Sequence, residues 1–282
     1  MEQVVARSFE HALELLYTES WNGVLERYRS KYIFRGLSDL AYPLLTSLQR
    51  LGGPYADLEP HLLRNFRKYS GLNEATLDYS DWQWLTLAQH HGLPTRLLDW
   101  TYSPLVALHF ATSNIERYDA DGVVWCVDMA QAHETLPLEL RRELIAQGAH
   151  AFTVAMIENV TTNLRSFDQL GRTGEFAMFI EPPSLDSHIV NQYAFLSVMP
   201  GAALDFGGWC TRNQGLVRQV VIPGEVKWEI RDKLDQGNVN ERVLFPGLDG
   251  LSLWLRRHYS PKHNPLAPRP NPTLPSPLSQ LD

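Results

Sequence analysis

Cysteine is scarce in this chain: Cys126 and Cys210 are the only two among 282 residues. They lie far apart and in no metal-ligand spacing, which predicts two free, buried thiols in a reducing compartment. Long apolar runs are missing as well. No stretch reaches membrane-spanning length, and the opening MEQVVARSFEHALELL lacks the charged-then-apolar order of a signal peptide. The expectation is a cytoplasmic protein without membrane attachment. Positive charge is in deficit, with 25 Lys and Arg against 32 Asp and Glu and a formal net charge of −7. That argues against bulk electrostatic binding of nucleic acid and leaves room only for a local basic groove. There is no P-loop, no G-x-G-x-x-G and no G-x-S-x-G, and neither cysteine neighbours a histidine. Phosphoryl transfer, dinucleotide-fold redox chemistry and Ser or Cys nucleophiles therefore lack support. Metal ligation lacks it too: His90-His91 cannot set a tetrahedral shell alone, and Asp99, Asp205 and Asp249 share no informative spacing.

What is present is a substantial core, with 44% hydrophobic residues and eight Trp. The chain is organised around SDWQWLTLAQHHGLPTRLLDWTYSPLVALHFAT, residues 80–112. Ser80 and Gln83 have capping-box spacing, and Trp84, Leu87, Ala88 and His91 follow on one helical face. Gly92 suits a left-handed cap and Pro94 stops the helix. The chain then crosses in extended form through Thr95–Asp99. Ser103-Pro104 reads as an N-cap with proline at the first helical position, opening a helix that is apolar nearly all round. Arg96 and Asp99, flanking Leu97-Leu98, read as a scaffold pair or as backbone caps. On the helix before them, adjacent residues project about 100° apart, so His91 packs inward and His90 looks into a cleft.

Elsewhere, Phe9, Ala12, Leu13, Leu16 and Tyr17 predict a helix from Ser8, and Trp21, Val24, Leu25 and Tyr28 repeat the helical spacing. Tyr32–Phe34 reads as a short strand with Arg35 and Gly36 at its C-terminal end. A helix over 57–69 would turn Leu58, Leu62, Phe66 and Tyr69 inward. Residues 122–128 form a buried strand, followed by a polar helical segment over 130–150 and a short helix within 161–170. Residues 175–180, 188–199 and 216–222 are further strands, and Ile230 and Leu234 face inward from a helix. From Ser260 onward seven prolines fall within 23 residues, too little apolar surface to bury a core, so 260–282 reads as a disordered tail. These elements predict one α+β domain over 1–259, a mixed or antiparallel sheet flanked by helices.

QHHGLPTRLLDWTYSPLVALHFA, together with Phe34-Arg35-Gly36, resembles the FRG domain, named for that opening motif. The resemblance runs over residues 30–257. It includes Glu59 and Phe66 on their helix, and Val243–Leu251, where a Phe-Pro turn and an Asp-Gly pair open the last helix. A further resemblance is to ADP-ribosyltransferase folds. Arg35 looks like their first-strand arginine, which binds the phosphate-ribose part of the cofactor. Thr101-Tyr102-Ser103 and the following helix are similar to their hydroxyl motif. FRG members commonly have Arg-Ile-x-x-Gln-x-Gly-x-Phe near residue 188; this chain keeps Ile189 and Gln192 but has His188, Ala194 and Leu196 at the other places.

These resemblances imply a nucleotide-using, ADP-ribosyltransferase-like or NAD glycohydrolase-like effector, set in a bacterial toxin or phage-defence context. NAD would be the substrate, with a protein or nucleic-acid acceptor and no metal. Arg35, His90 and Gln192 would be catalytic, and Arg35, Thr101 and Ser103 would bind the cofactor. Against this, such a transferase places a carboxylate where Gln192 stands, and a neutral amide cannot stabilise an oxocarbenium-like state. Glu175 and Glu181 are the alternative carboxylates. A non-enzymatic nucleotide- or partner-binding module is the other reading, and a carboxylate facing the pocket opposite Arg35 separates the two. For the tail, deleting residues 262–282 is expected to leave the thermal midpoint within about two degrees, the scatter of a change remote from the core. A drop of several degrees would show that the tail docks.

Overall fold

The computed structural model describes residues 1–71, 78–183 and 190–261. Its strands are β1 (Glu2–Val5), β2 (Trp21–Asn22), β3 (Arg27–Tyr28), β4 (Tyr32–Leu37), β5 (Leu98–Thr101), β6 (Gly122–Asp128), β7 (Phe152–Thr153), β8 (Met178–Glu181), β9 (Ala194–Val198) and β10 (Val217–Ile222). Eight of them form one sheet in the order β1-β10-β6-β4-β5-β9-β8-β7. Both edge pairs, β1 with β10 and β7 with β8, are parallel, and the interior pairs are antiparallel. The result is the single domain with a mixed sheet flanked by helices that the sequence predicts.

Period-two alternation divides the core between the two faces of the sheet. One face carries Ile33, Leu37, Leu98, Trp100, Val123, Val127, Phe179 and Phe195 in one continuous cluster, roofed by the Phe206–Arg212 helix. The other face is covered in two separate halves. Helices α1 (Phe9–Tyr17) and α4 (Pro104–Ala111), with the Gly224–Gln236 helix, cover Phe34, Val124, Cys126 and Val220. Helices α2 (Tyr55–Tyr69) and α3 (Asp81–His90), with the Val154–Val160 and Leu164–Leu170 helices, cover Met178, Ile180, Leu196 and Val198. Between the halves, α3 and α4 leave open a strip of sheet running from Gly36 over Asp99 and Thr101 to Ala194 and Leu196.

Local signals account for the two helices bordering that gap. Ser80 and Gln83 complete the capping box of α3, and Ser103 caps α4 ahead of Pro104. Helix α4 buries Val106, Ala107, Leu108, His109 and Ala111. Gly36 explains how closely it sits on β4: a Cβ there would lie 1.9 Å from the Ala107 carbonyl oxygen and 2.6 Å from the Ala111 nitrogen. This glycine admits the backbone of a helix. His109, on the buried side of α4, accepts a hydrogen bond at Nδ1 from Arg231 Nη1 at 2.8 Å. Burial, with the Arg231 charge beside it, pushes its imidazole down to about 3. Arg257 donates to Glu241 and Asp235, fastening the last helix (Leu248–His258) to the Gly224–Gln236 helix and the short Glu241–Leu244 turn.

Several expectations are corrected. Trp21, Val24, Leu25 and Tyr28 belong to a β2–β3 hairpin and are exposed, so their helical spacing reports no helix. Helix α2 buries Glu59 and Leu63, whereas Leu58 and Tyr69 are exposed; a buried charge attracted the face that apolar counting assigned elsewhere. Strand β4 runs on to Leu37 because β6 pairs with it throughout, so Arg35 lies inside the strand. Strand β8 starts only at Met178 and β9 at Ala194, which leaves Gln192 in a turn. Both thiols are free and buried. No helix among the described residues is long and apolar enough to cross a membrane. Residues 262–282 and His188 lie outside the described residues. Gly36→Ala is expected to destabilise the protein by on the order of 3 kcal/mol, because backbone atoms must move apart to admit the methyl. Chemical denaturation would measure it, and an unchanged midpoint would mean α4 sits farther from β4.

Candidate functional site

Strands β4 and β5 are joined at a single pair, Phe34 with Thr101. Beyond it β4 follows β6, β5 follows β9, and the two strands part. The parting lies under the uncovered strip between α3 and α4. Together they make a cleft of about 450 Å³. Its floor is one face of the sheet: Gly36, Asp99, Thr101, Ala194 and Leu196. Thr86, Gln89 and His90 of α3 form one wall, Phe110, Phe245 and Gln192 the other, and Pro182 closes an end.

Arg35 reaches across the parting. Its Nη1 donates to the Asp99 main-chain oxygen, and its Nε is buried without a hydrogen-bond partner. Among the described residues no carboxylate forms an ion pair with it. Burial lowers the pKa of this guanidinium; the Asp99 charge partly restores it, and Arg50 pushes it down again.

Asp99 is exposed in the cleft. Its Oδ1 accepts from Gln89 Nε2 at 2.8 Å. Gln89 is itself oriented by Thr95, a buried residue whose hydroxyl donates to Gln89 Oε1 while accepting from the Leu97 amide at 3.1 Å. An ionised carboxylate can only accept, so the NH2 of Gln89 faces Asp99 and its amide oxygen is left to accept from the Thr95 hydroxyl.

Arg96 points the other way. It forms two-pronged hydrogen bonds with Glu59 on α2 and bonds with Asp168 on the Leu164–Leu170 helix. Its side chain is 6% exposed and that of Glu59 4%. Burial alone would lower its pKa, but the two carboxylates outweigh that and hold it above the ordinary arginine range. The Arg96–Asp99 scaffold pair is therefore overturned. In an extended chain residues three apart face opposite sides, so Arg96 enters the core and Asp99 the cleft.

The predicted site residues divide accordingly. Arg35, His90, Thr101 and Gln192 all line the cleft. His91, expected to pack inward, is exposed instead, at the end of α3 where its ring lies 5.0 Å from that of His90 and 6.5 Å from that of Phe66. The Thr101 hydroxyl donates to the Gln192 carbonyl at 2.7 Å and accepts from the Ser103 amide at 3.0 Å. Gln192 Nε2 donates to the Leu244 carbonyl at 3.0 Å. Ser103 caps α4 and faces a separate groove of about 600 Å³ beside Tyr102 and Tyr193. Glu175 pairs with Arg212, and Glu181 is not among the cleft residues. Among the described residues no group of three His, Cys, Asp or Glu side chains is placed to hold a metal ion.

Sequence reasoning missed Gln89 and gave Asp99 a scaffold role beside Arg96, where the structure has it lining the cleft. Signals for both exist: Thr86, Gln89 and His90 make a polar i, i+3, i+4 stripe on an otherwise apolar helix, and Asp99 has opposite parity to Arg96. Truncating Glu59 to Ala is expected to cost about 3–5 kcal/mol by stranding a buried guanidinium. Asp99→Ala is expected to fold with a loss within about 1 kcal/mol. Urea titrations of the two variants check this, and the opposite ranking would return Asp99 to the scaffold.

Residues 30–120 match the family model of the FRG domain. No curated protein and no solved structure is matched.

Proposed function

Because this chain carries an FRG domain whose Arg35 lines the cleft, we propose that the cleft is a nucleotide site. We further propose that NAD is its ligand, used in ADP-ribosyl transfer or NAD hydrolysis. One observation carries this: a half-buried arginine that lines the cleft, anchored at Nη1 to the Asp99 carbonyl, with no carboxylate paired to it among the described residues. Such a guanidinium is suited to a phosphate, which offers the charge and the acceptor oxygens it lacks.

The chemistry sets a second requirement. Cleaving NAD breaks the bond between the ribose anomeric carbon and the nicotinamide nitrogen; nicotinamide leaves with the electron pair, neutralising its ring. The cationic ribosyl carbon then takes an oxygen or nitrogen of water or an acceptor, and the proton displaced passes to a base. A carboxylate facing the cleft would stabilise the positive charge. Gln192, a neutral amide tied to the Leu244 carbonyl, is unsuited to this; Asp99 is suited to it. His90 is the base candidate on the α3 wall. A toxin or phage-defence effector acting on a protein or nucleic-acid acceptor fits such a reaction.

The engagement of Gln192 and Thr101 with backbone favours a second reading, a module that binds a nucleotide without splitting it. Incubating the purified protein with NAD, with and without cell extract, decides between them. Released nicotinamide, with or without an acceptor gaining one ADP-ribose, is expected, and Arg35→Ala is expected to lose at least about tenfold in rate. Tight NAD binding with no nicotinamide released would leave the binding module. No binding at all would remove both.

A further inference from the structure

Asp99 has a division of labour between its main chain and its side chain. The main-chain oxygen anchors the Arg35 guanidinium. One side-chain oxygen, Oδ1, accepts from the Gln89 NH2 at 2.8 Å, and the Gln89 amide oxygen in turn accepts from the buried Thr95 hydroxyl, which holds the amide in place. The other oxygen, Oδ2, has no hydrogen-bond partner among the described residues, and the side chain is exposed to the cleft. A carboxylate held at one oxygen and open at the other is a preorganised acceptor. It repels a phosphate and attracts hydroxyl donors, so the cleft places an anion-binding and a hydroxyl-binding group on adjoining parts of its floor.

We propose that Asp99 is a ligand-binding residue that accepts the ribose hydroxyls of the nucleotide whose phosphate Arg35 holds. Gln89 and Thr95 are its positioning residues. The assignment rests on the nucleotide reading above and names the part of the ligand that the carboxylate recognises. A vicinal diol offers two O–H donors beside a phosphate, and a 2′-deoxyribose withholds one of them. A site built to bond a hydroxyl rejects the analogue lacking it, since its own polar group is then left unpaired. The cleft accordingly selects ribonucleotides over deoxyribonucleotides, whatever the base.

Calorimetric titration of the full chain tests this with two probe pairs: nicotinamide mononucleotide and its 2′-deoxy analogue, and AMP and 2′-deoxy-AMP. In the wild-type protein the ribose member of at least one pair is expected to bind at least about tenfold tighter, the span of one hydrogen bond to a charged group. Asp99→Asn is expected to bind both members at the deoxy level. Gln89→Leu should weaken the ribose probe and leave the deoxy probe unchanged, which a general loss of structure would not do. Arg35→Ala should lose both members alike. Equal affinity of the wild-type protein for ribose and deoxyribose overturns the assignment while leaving the nucleotide reading intact. Failure of all four probes overturns the nucleotide reading, and the assignment with it. The wild-type comparison needs no variant, so misfolding of Asp99→Asn cannot obscure the outcome.

Discussion

The functional geometry of this protein depends on the joining of two central strands at one residue pair. Phe34 and Thr101 hold β4 to β5, and on either side of that pair each strand follows its other neighbour. A sheet that parts in its middle exposes backbone polar groups that must find partners, because burying them unpaired is costly. Arg35 meets part of that demand by donating to the Asp99 carbonyl. The same act places a guanidinium at the floor of a cleft. Structural need and chemical opportunity therefore coincide at one side chain, whose Nε has no hydrogen-bond partner among the described residues.

The parting stays open because its two borders are fixed independently. On one side, α4 is seated on Gly36 closely enough that a single added carbon would overlap its backbone. On the other, Arg96 ties the approach to β5 to α2 and the Leu164–Leu170 helix through Glu59 and Asp168. Removing either partner from a buried pair strands a charge, so the arrangement resists local collapse. Arg96 is thus a scaffold residue with different partners from the one the sequence suggested. Its commitment to the core leaves Asp99 as the carboxylate on the cleft side.

Hydrogen-bond direction gives the cleft its polarity. The Asp99 carboxylate only accepts, which obliges Gln89 to donate to it and to turn its amide oxygen to the Thr95 hydroxyl. The Thr101 hydroxyl and the Gln192 amide are engaged with backbone and hold the wall in place. The groups open to a ligand in this accounting are the Arg35 guanidinium and the outer oxygen of Asp99. That pairing suits a molecule with an anion and hydroxyl donors close together better than it suits a simple anion.

Local information determined the elements of the fold. The capping box at Ser80, the Ser103-Pro104 start of α4 and the unbroken apolar run of β6 were all legible, because each rests on spacing within a few residues. Helical spacing misled at Trp21–Tyr28, where the period recurs by chance in an exposed hairpin. Parity along Thr95–Thr101 already separated Arg96 from Asp99, although proximity in the chain suggested a pair. Only the tertiary structure decided that Glu59 and Asp168 claim Arg96, that Gly36 makes room for a helix, and that the sheet parts beside Arg35. Each of those facts is a choice of partner across 37 or more residues. Chain proximity carries no information about such choices, which depend on how the covered halves of the sheet meet.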